Sequence, residues 1–159
     1  MFTVDGVRKF HGWTHACLDV VLRHLSAIPM DDYGKEVPGF GFPTLREQVI
    51  HLFNCEGFWV HTLQGQRYVD RRAEGLIADA RALQQDVSRQ TRAYLSSLTD
   101  QQLNTDTKLH FPDGDVAVRT PALVLHHVLT HAFHHKGQIV AMCRVLGHPA
   151  RDTDLNQFE

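Results

Sequence analysis

The feature that most constrains this chain is a comb of histidines near its C-terminus, His127-Val-Leu-Thr-His131-Ala-Phe-His134-His135-Lys-Gly-Gln138. His127, His131 and His135 recur every fourth residue, so on a helix they stand one turn above another. The helix is announced at both ends. Thr120-Pro121 is an N-cap followed by proline, and Gly147 with Pro149 closes the other side. Over about 121–146 the inward arc reads Val124, Val128, His131, His135, Gln138, Ile139, Met142, Val145 and Leu146. His127 and His134 flank that arc and His126 points away. Two imidazoles centred in an apolar arc must find partners or cost stability. A single helix cannot encircle an ion, so a metal here requires a ligand from a second helix.

Three further amphipathic segments supply candidates. A first helix over about 5–28 carries Phe10, Thr14, Cys17, Leu18, Val21, Leu25 and Ile28 on one arc, and Pro29 ends it. Trp13 and His11 flank that arc and His15 points further out, so His11 and His15 are expected at a partly exposed polar edge. Residues 29–43, rich in Gly and Pro, read as a loop. Thr44-Leu-Arg-Glu47 is a capping box that starts a second helix over about 45–63. Its apolar residues cover most of its circumference, which predicts the most buried element. A third helix, about 73–98, has only a narrow stripe: Leu76, Ala80, Leu83, Val87, Thr91, Tyr94 and Leu98. Lys108–Phe111 and Val116–Arg119 alternate around Pro-Asp-Gly-Asp, which predicts a small β-hairpin before the last helix. The last residues, RDTDLNQFE, read as a tail or short turn. These elements make an all-α four-helix bundle within one domain spanning residues 1–159.

Composition narrows the function classes. In 159 residues with a formal charge of -2 there is no basic footprint for nucleic acid. No apolar run reaches membrane-spanning length and no signal peptide is evident. Three widely spaced cysteines without a CxxC favour reduced thiols and a cytoplasmic protein. Nucleotide-binding, HExxH and nucleophile-elbow motifs are missing, and the lack of Glu-x-x-His disfavours a di-iron bundle.

The second helix provides the missing ligand. His51 borders its buried arc and is the best partner for His131 and His135; His127 is the runner-up, at the expense of placing every ligand on one helix. Three histidines leave an open coordination position, the arrangement of a catalytic site. Cys55, one turn beyond His51, is either a fourth ligand or a small buried residue. Glu56 lies inside the apolar arc, where it either orients a ligand histidine or pairs with a His or Arg. Gln138 either contacts substrate or water, or bridges helices. On the back of the last helix, Ala122, Leu129, Phe133 and Val140 form a second apolar line beside Gly137, a candidate homodimer contact.

Taken together, His127-x3-His131-x3-His135-Lys-Gly-Gln138, His51-x4-Glu56-x2-Trp59, Trp13, and Gly147-His-Pro with Asp154-Leu155 resemble the DinB/YfiT-like metal-binding four-helix bundles. The resemblance covers nearly the whole chain. It implies an up-down-down-up bundle with long connections after the first and third helices, commonly homodimeric. It also implies a divalent-metal site that maps onto His51, His131 and His135. Characterised members of the family include thiol-dependent S-transferases and a maleylpyruvate isomerase that use bacillithiol, mycothiol or similar cofactors. The expectation is a metal-dependent thiol S-transferase, or a hydrolase-like metalloenzyme, acting on a small electrophile with a low-molecular-weight thiol. The alternatives are a non-catalytic metal-binding or stress-response module and a metal-free dimeric bundle. Zinc or nickel are the foremost ions, and iron, manganese or cobalt are also compatible with three imidazoles.

Overall fold

The computed structural model describes residues 1–72, 75–151 and 153–158. Four long helices carry the fold: α1 (Val4–Leu25), α3 (Leu45–Leu63), α4 (Ile77–Ser96) and α6 (Pro121–Val145). Two single-turn helices, α2 (Met30–Tyr33) and α5 (Asp100–Leu103), lie in the connections, and a 3-10 turn follows at Leu155–Gln157. The expected third helix begins at Ile77; residues 73 and 74, where the sequence places its start, lie outside the described residues.

Local chemistry sets the helix ends. Thr3 caps α1 through the Gly6 amide. Thr44 and Glu47 form the reciprocal capping box of α3, and Thr120 caps α6 ahead of Pro121. Gly147 takes a φ of 85°, a left-handed conformation that lets the His148 amide reach back to the Cys143 carbonyl at 2.8 Å. The hairpin pairs β1 (Thr107–His110) with β2 (Val116–Arg119), Leu109 opposite Ala117, and Gly114 turns it with φ of 94°.

Side-chain contacts fix the directions. Phe2 meets His126, Phe10 stacks on Phe133 and His24 donates to the His148 carbonyl, so α1 and α6 run parallel. His51 meets His135 while Trp59 meets His127, so α3 runs against α6. Arg81 reaches Asp19 and Gln84 reaches the His15 carbonyl, so α4 opposes α1. The bundle is therefore up-down-down-up.

Its interior is two apolar clusters stacked along the bundle. One gathers Leu18, Leu22, Leu45, Phe53, Leu83 and Met142. The other gathers Val7, Val60, Leu95, Leu103, Leu109 and Leu125. Between them, at the level of His11, His15, Glu56 and Thr91, the interior is polar, and all four side chains are buried.

Several expectations change. Burial of His11 and His15 overturns their placement at a polar edge, because Glu56 of α3 receives both rings inside the bundle. The 29–43 connection is more ordered than a plain loop: Tyr33 and Val37 are buried in the first cluster. Val145 and Leu76, read as inward, are 68% and 57% exposed, while their neighbours Leu146 and Ile77 pack against the core. The second apolar line of α6 is mostly covered within the chain. Ala122 and Leu129 are buried and Phe133 lies against Phe10, while Gly137 is exposed and a Cβ there would meet nothing within 4 Å. No helix among the described residues is long and apolar enough to cross a membrane.

Candidate metal centre

Where α3 crosses α6, three imidazoles turn the same nitrogen toward one point. His131 Nε2 lies 3.3 Å from His51 Nε2 and 3.0 Å from His135 Nε2. Two nitrogens bound to one zinc at about 2.0–2.1 Å in a tetrahedral arrangement sit roughly 3.3 Å apart. The observed spacings match that value closely. Within one helix the i,i+4 step brings His131 and His135 together, and the antiparallel packing of α3 brings His51. The structure thus gathers the three histidines singled out from the sequence.

The protonation of the cluster suits a cation. Burial is the main cause that lowers all three pKa values, and mutual repulsion adds to it at His131 and His135. His131 is lowered to about 4 and His135 to about 3. At neutral pH the rings are uncharged and their lone pairs are available.

The tautomer of His135 follows from its neighbours. Gln48, fully buried in α3, contacts the Phe42 carbonyl at 3.0 Å and Gln138 Oε1 at 2.7 Å through its amide nitrogen. A carbonyl only accepts, so the atom facing Phe42 must be the NH2, and the Gln48 oxygen faces His135 Nδ1 at 2.7 Å. His135 Nδ1–H therefore donates to Gln48 and Nε2 keeps its lone pair for the cluster. Gln138 continues the chain by donating to His134 Nε2 at 2.8 Å. A metal-bound histidine ordinarily donates its other N–H in this way. Gln48 was missed in the sequence; the available signal was an amide inside an apolar arc, one turn before His51.

The remaining candidates take other roles. Gln138 bridges helices through Gln48. The Phe42 ring, delivered by the 29–43 connection, stacks on His51 at 4.0 Å between centroids. Cys55 Sγ is not among the atoms that lie within 4.8 Å of one another at the cluster. Burial pushes its thiol up to about 12, against a smaller opposing effect of Trp59. His127 stands one turn from His131, its ring 5.8 Å away and edge-on to Trp59 at 5.5 Å. Glu56 does not orient any of the three clustered rings.

Glu56 instead organises a second buried group. Its two oxygens accept from His11 Nε2 and His15 Nε2 at 2.9 Å each, and Thr91 donates to Oε1 at 2.6 Å. Burial pushes the carboxyl pKa up, but the charge of His15 and the hydrogen bonds of both histidines outweigh it and hold the group below the usual carboxylate range. These atoms are also close enough to hold an ion. The tautomers argue otherwise. A cation on both Nε2 atoms would force the ring protons onto His11 Nδ1 and His15 Nδ1, which are buried without a partner. Without an ion, the Nε2–H of each ring donates to Glu56 and both carboxylate oxygens are satisfied. The Glu56 group is a structural clamp joining α1, α3 and α4.

An up-down-down-up bundle with a three-histidine cluster between its second and last long helices defines the class. The chain belongs to the DinB family, whose model matches residues 5–159. It is 24% identical over 155 residues to Protein DinB of Bacillus subtilis (strain 168), covering 87% of this chain and 84% of that protein. Crystal structures of DinB-like proteins have the same fold. YjoA of B. subtilis superposes with a TM-score of 0.65 at 19% identity, covering 92% of this chain and 98% of that one. A DinB-like protein of Bacillus cereus gives 0.63 at 19% identity, covering 96% and 99%.

Proposed function

We propose that His51, His131 and His135 hold one divalent metal ion and that the protein uses it to activate a small thiol for transfer to an electrophile. The observation that carries this reading is the convergence of three uncharged imidazoles, with His131 Nε2 at 3.3 Å from His51 Nε2 and 3.0 Å from His135 Nε2, and the tautomer of one ring set by a buried glutamine. Three protein ligands leave a coordination position open. A divalent ion there supplies Lewis acidity and lowers the pKa of a thiol that reaches it.

The chain's own side chains prepare the site. Gln48 holds His135 in the Nε2-acceptor tautomer, Phe42 packs on His51, and burial keeps the cluster unprotonated. Cys17 and Cys143 are buried and Cys55 is held protonated, so the nucleophilic sulfur comes from outside the chain. In the overall reaction a C–S bond forms to the electrophilic carbon and the bond to its leaving group breaks. The thiol proton departs with that group. For an unsaturated electrophile, the proton ends on the neighbouring carbon.

The test uses zinc-loaded protein, a panel of low-molecular-weight thiols and a generic electrophile such as a chlorodinitrobenzene. At least one thiol is expected to be consumed faster than with His131→Ala. Equal rates for the two proteins across the panel overturn the transferase reading, and failure of the wild-type protein to bind zinc overturns the metal reading beneath it.

A further inference from the structure

One turn beyond the histidine cluster, along the seam of α3 and α6, the hairpin roofs a cavity of about 370 Å³. Its walls are chiefly apolar: Trp59 of α3, Val124 of α6, and Phe111 and Ala117 from the hairpin. Trp59 and Phe111 meet edge to face, 6.0 Å between centroids and 88° between planes, which fixes the shape of one wall. Two polar side chains interrupt the lining. His127 stands on the side of the metal cluster, with its ring beside that of His131. Arg119 ends β2. Its Nη1 donates to the Val118 carbonyl at 2.7 Å, and among the described residues no carboxylate pairs with it.

We infer that this cavity binds a small organic anion, its apolar body against Trp59 and Phe111 and its carboxylate or sulfonate at Arg119, as the electrophile subsite of the proposed centre. The assignment of the electrophile rests on the transferase reading; the binding itself does not. The size suits roughly a small bicyclic ring system. An apolar cavity with an exposed guanidinium at its edge and, among the described residues, no carboxylate beside it favours an amphipathic anion over a neutral molecule of the same shape, because the anion adds a charge-assisted hydrogen bond to Arg119. The helix geometry supports the link to the cluster. His127 and His131 are four residues apart on one helix, about 6 Å along its axis. A ligand anchored at Arg119 and lying along Trp59 therefore directs its other end toward the histidines.

The sequence has two tryptophans, so their indole N–H resonances report binding directly. Trp13 on α1 is outside the cavity lining and serves as the internal control, assigned through Trp13→Phe. The probes are 2-naphthoate and its uncharged counterpart 2-naphthylmethanol. Naphthoate is expected to shift the Trp59 resonance saturably and leave Trp13 in place. Arg119→Gln, a substitution of an exposed side chain, should weaken naphthoate about ten-fold and leave naphthylmethanol unchanged. Ala117→Phe should block both. Metal-free His131→Ala should bind naphthoate as the wild type does, so the cavity is tested apart from the metal. No Trp59 shift, or equal binding of both probes with no effect of Arg119→Gln, overturns the inference. Naphthoate binding without any thiol transfer leaves the anion site standing and removes its role as electrophile subsite.

Discussion

Gln48 offers the sharpest handle on the metal centre. Replacing it with methionine keeps the length and bulk of the side chain but removes its amide. Three hydrogen bonds vanish together: from His135 Nδ1, to the Phe42 carbonyl and to Gln138 Oε1. Gln48 is fully buried, so water cannot replace these partners without rearrangement. An orphaned buried donor or acceptor costs about 1–3 kcal/mol. Part of that cost falls on the metal-free protein and lowers its stability. A distinct part falls on binding, because His135 can now place its proton on Nε2 and must give it up to take a cation. Removing such an outer partner typically weakens metal binding about ten- to a hundred-fold, or roughly 1.4–2.7 kcal/mol. Denaturant melts of the metal-free protein measure the loss of stability, and competition between protein and a chelator of known affinity measures the loss of binding. The reasoning is refuted if Gln48→Met loses stability yet binds zinc within two- or three-fold of wild type, for then the amide only packs the helices together.

Other perturbations separate the two histidine groups. Glu56→Ala orphans the buried Nε2–H groups of His11 and His15 and should destabilise the protein by about 1–3 kcal/mol for each, while the folded variant still binds one zinc; loss of zinc from a well-folded variant would move the metal to the wrong group. Acid should weaken the metal-free protein before it reaches the carboxylate range. His131 and His135 stay neutral in the folded state down to about 4 and about 3, but take up protons near 6.5 once unfolded. The unfolded chain therefore binds more protons across that window, and stability, full above 6.5, falls as pH is lowered. His131→Ala should flatten the slope of melting temperature against pH between 6.5 and 4, and an unchanged slope would contradict the assignment. Zinc at a hundred times its Kd should add about 2.7 kcal/mol to unfolding, an increment that chelation reverses and that His51→Ala lacks.

Much of the bundle was legible because its signals are local. The Thr44–Glu47 box, the Thr120-Pro121 start and the 3.6-residue stripes each act within a few residues, and all appear in the structure. The His131–His135 pair was equally plain, since one helix places both. His11 and His15 were misread for the opposite reason. Their burial depends on a carboxylate 45 and 41 residues away, and the sequence pattern of α1 alone shows only polar residues beside an apolar arc. Glu56 itself gave a hint, as a carboxylate in an apolar arc demands partners, but its partners could have been the clustered rings or others. Gln48 was hidden by the same logic: an amide commits to a role only when the Phe42 carbonyl and His135 ring stand beside it. The second apolar line of α6 looked surplus because the stripe of α1 understates how far Phe10 reaches across.

The most direct test of the metal centre is an experimental structure of protein purified without added chelator, with anomalous scattering to locate and identify any ion. The account predicts one site bonded to Nε2 of His51, His131 and His135, at about 2.0–2.1 Å if the ion is zinc, with His135 Nδ1 still donating to Gln48. An ion held instead by His11, His15 and Glu56, or three histidines that stay metal-free in zinc-saturated crystals, would contradict it.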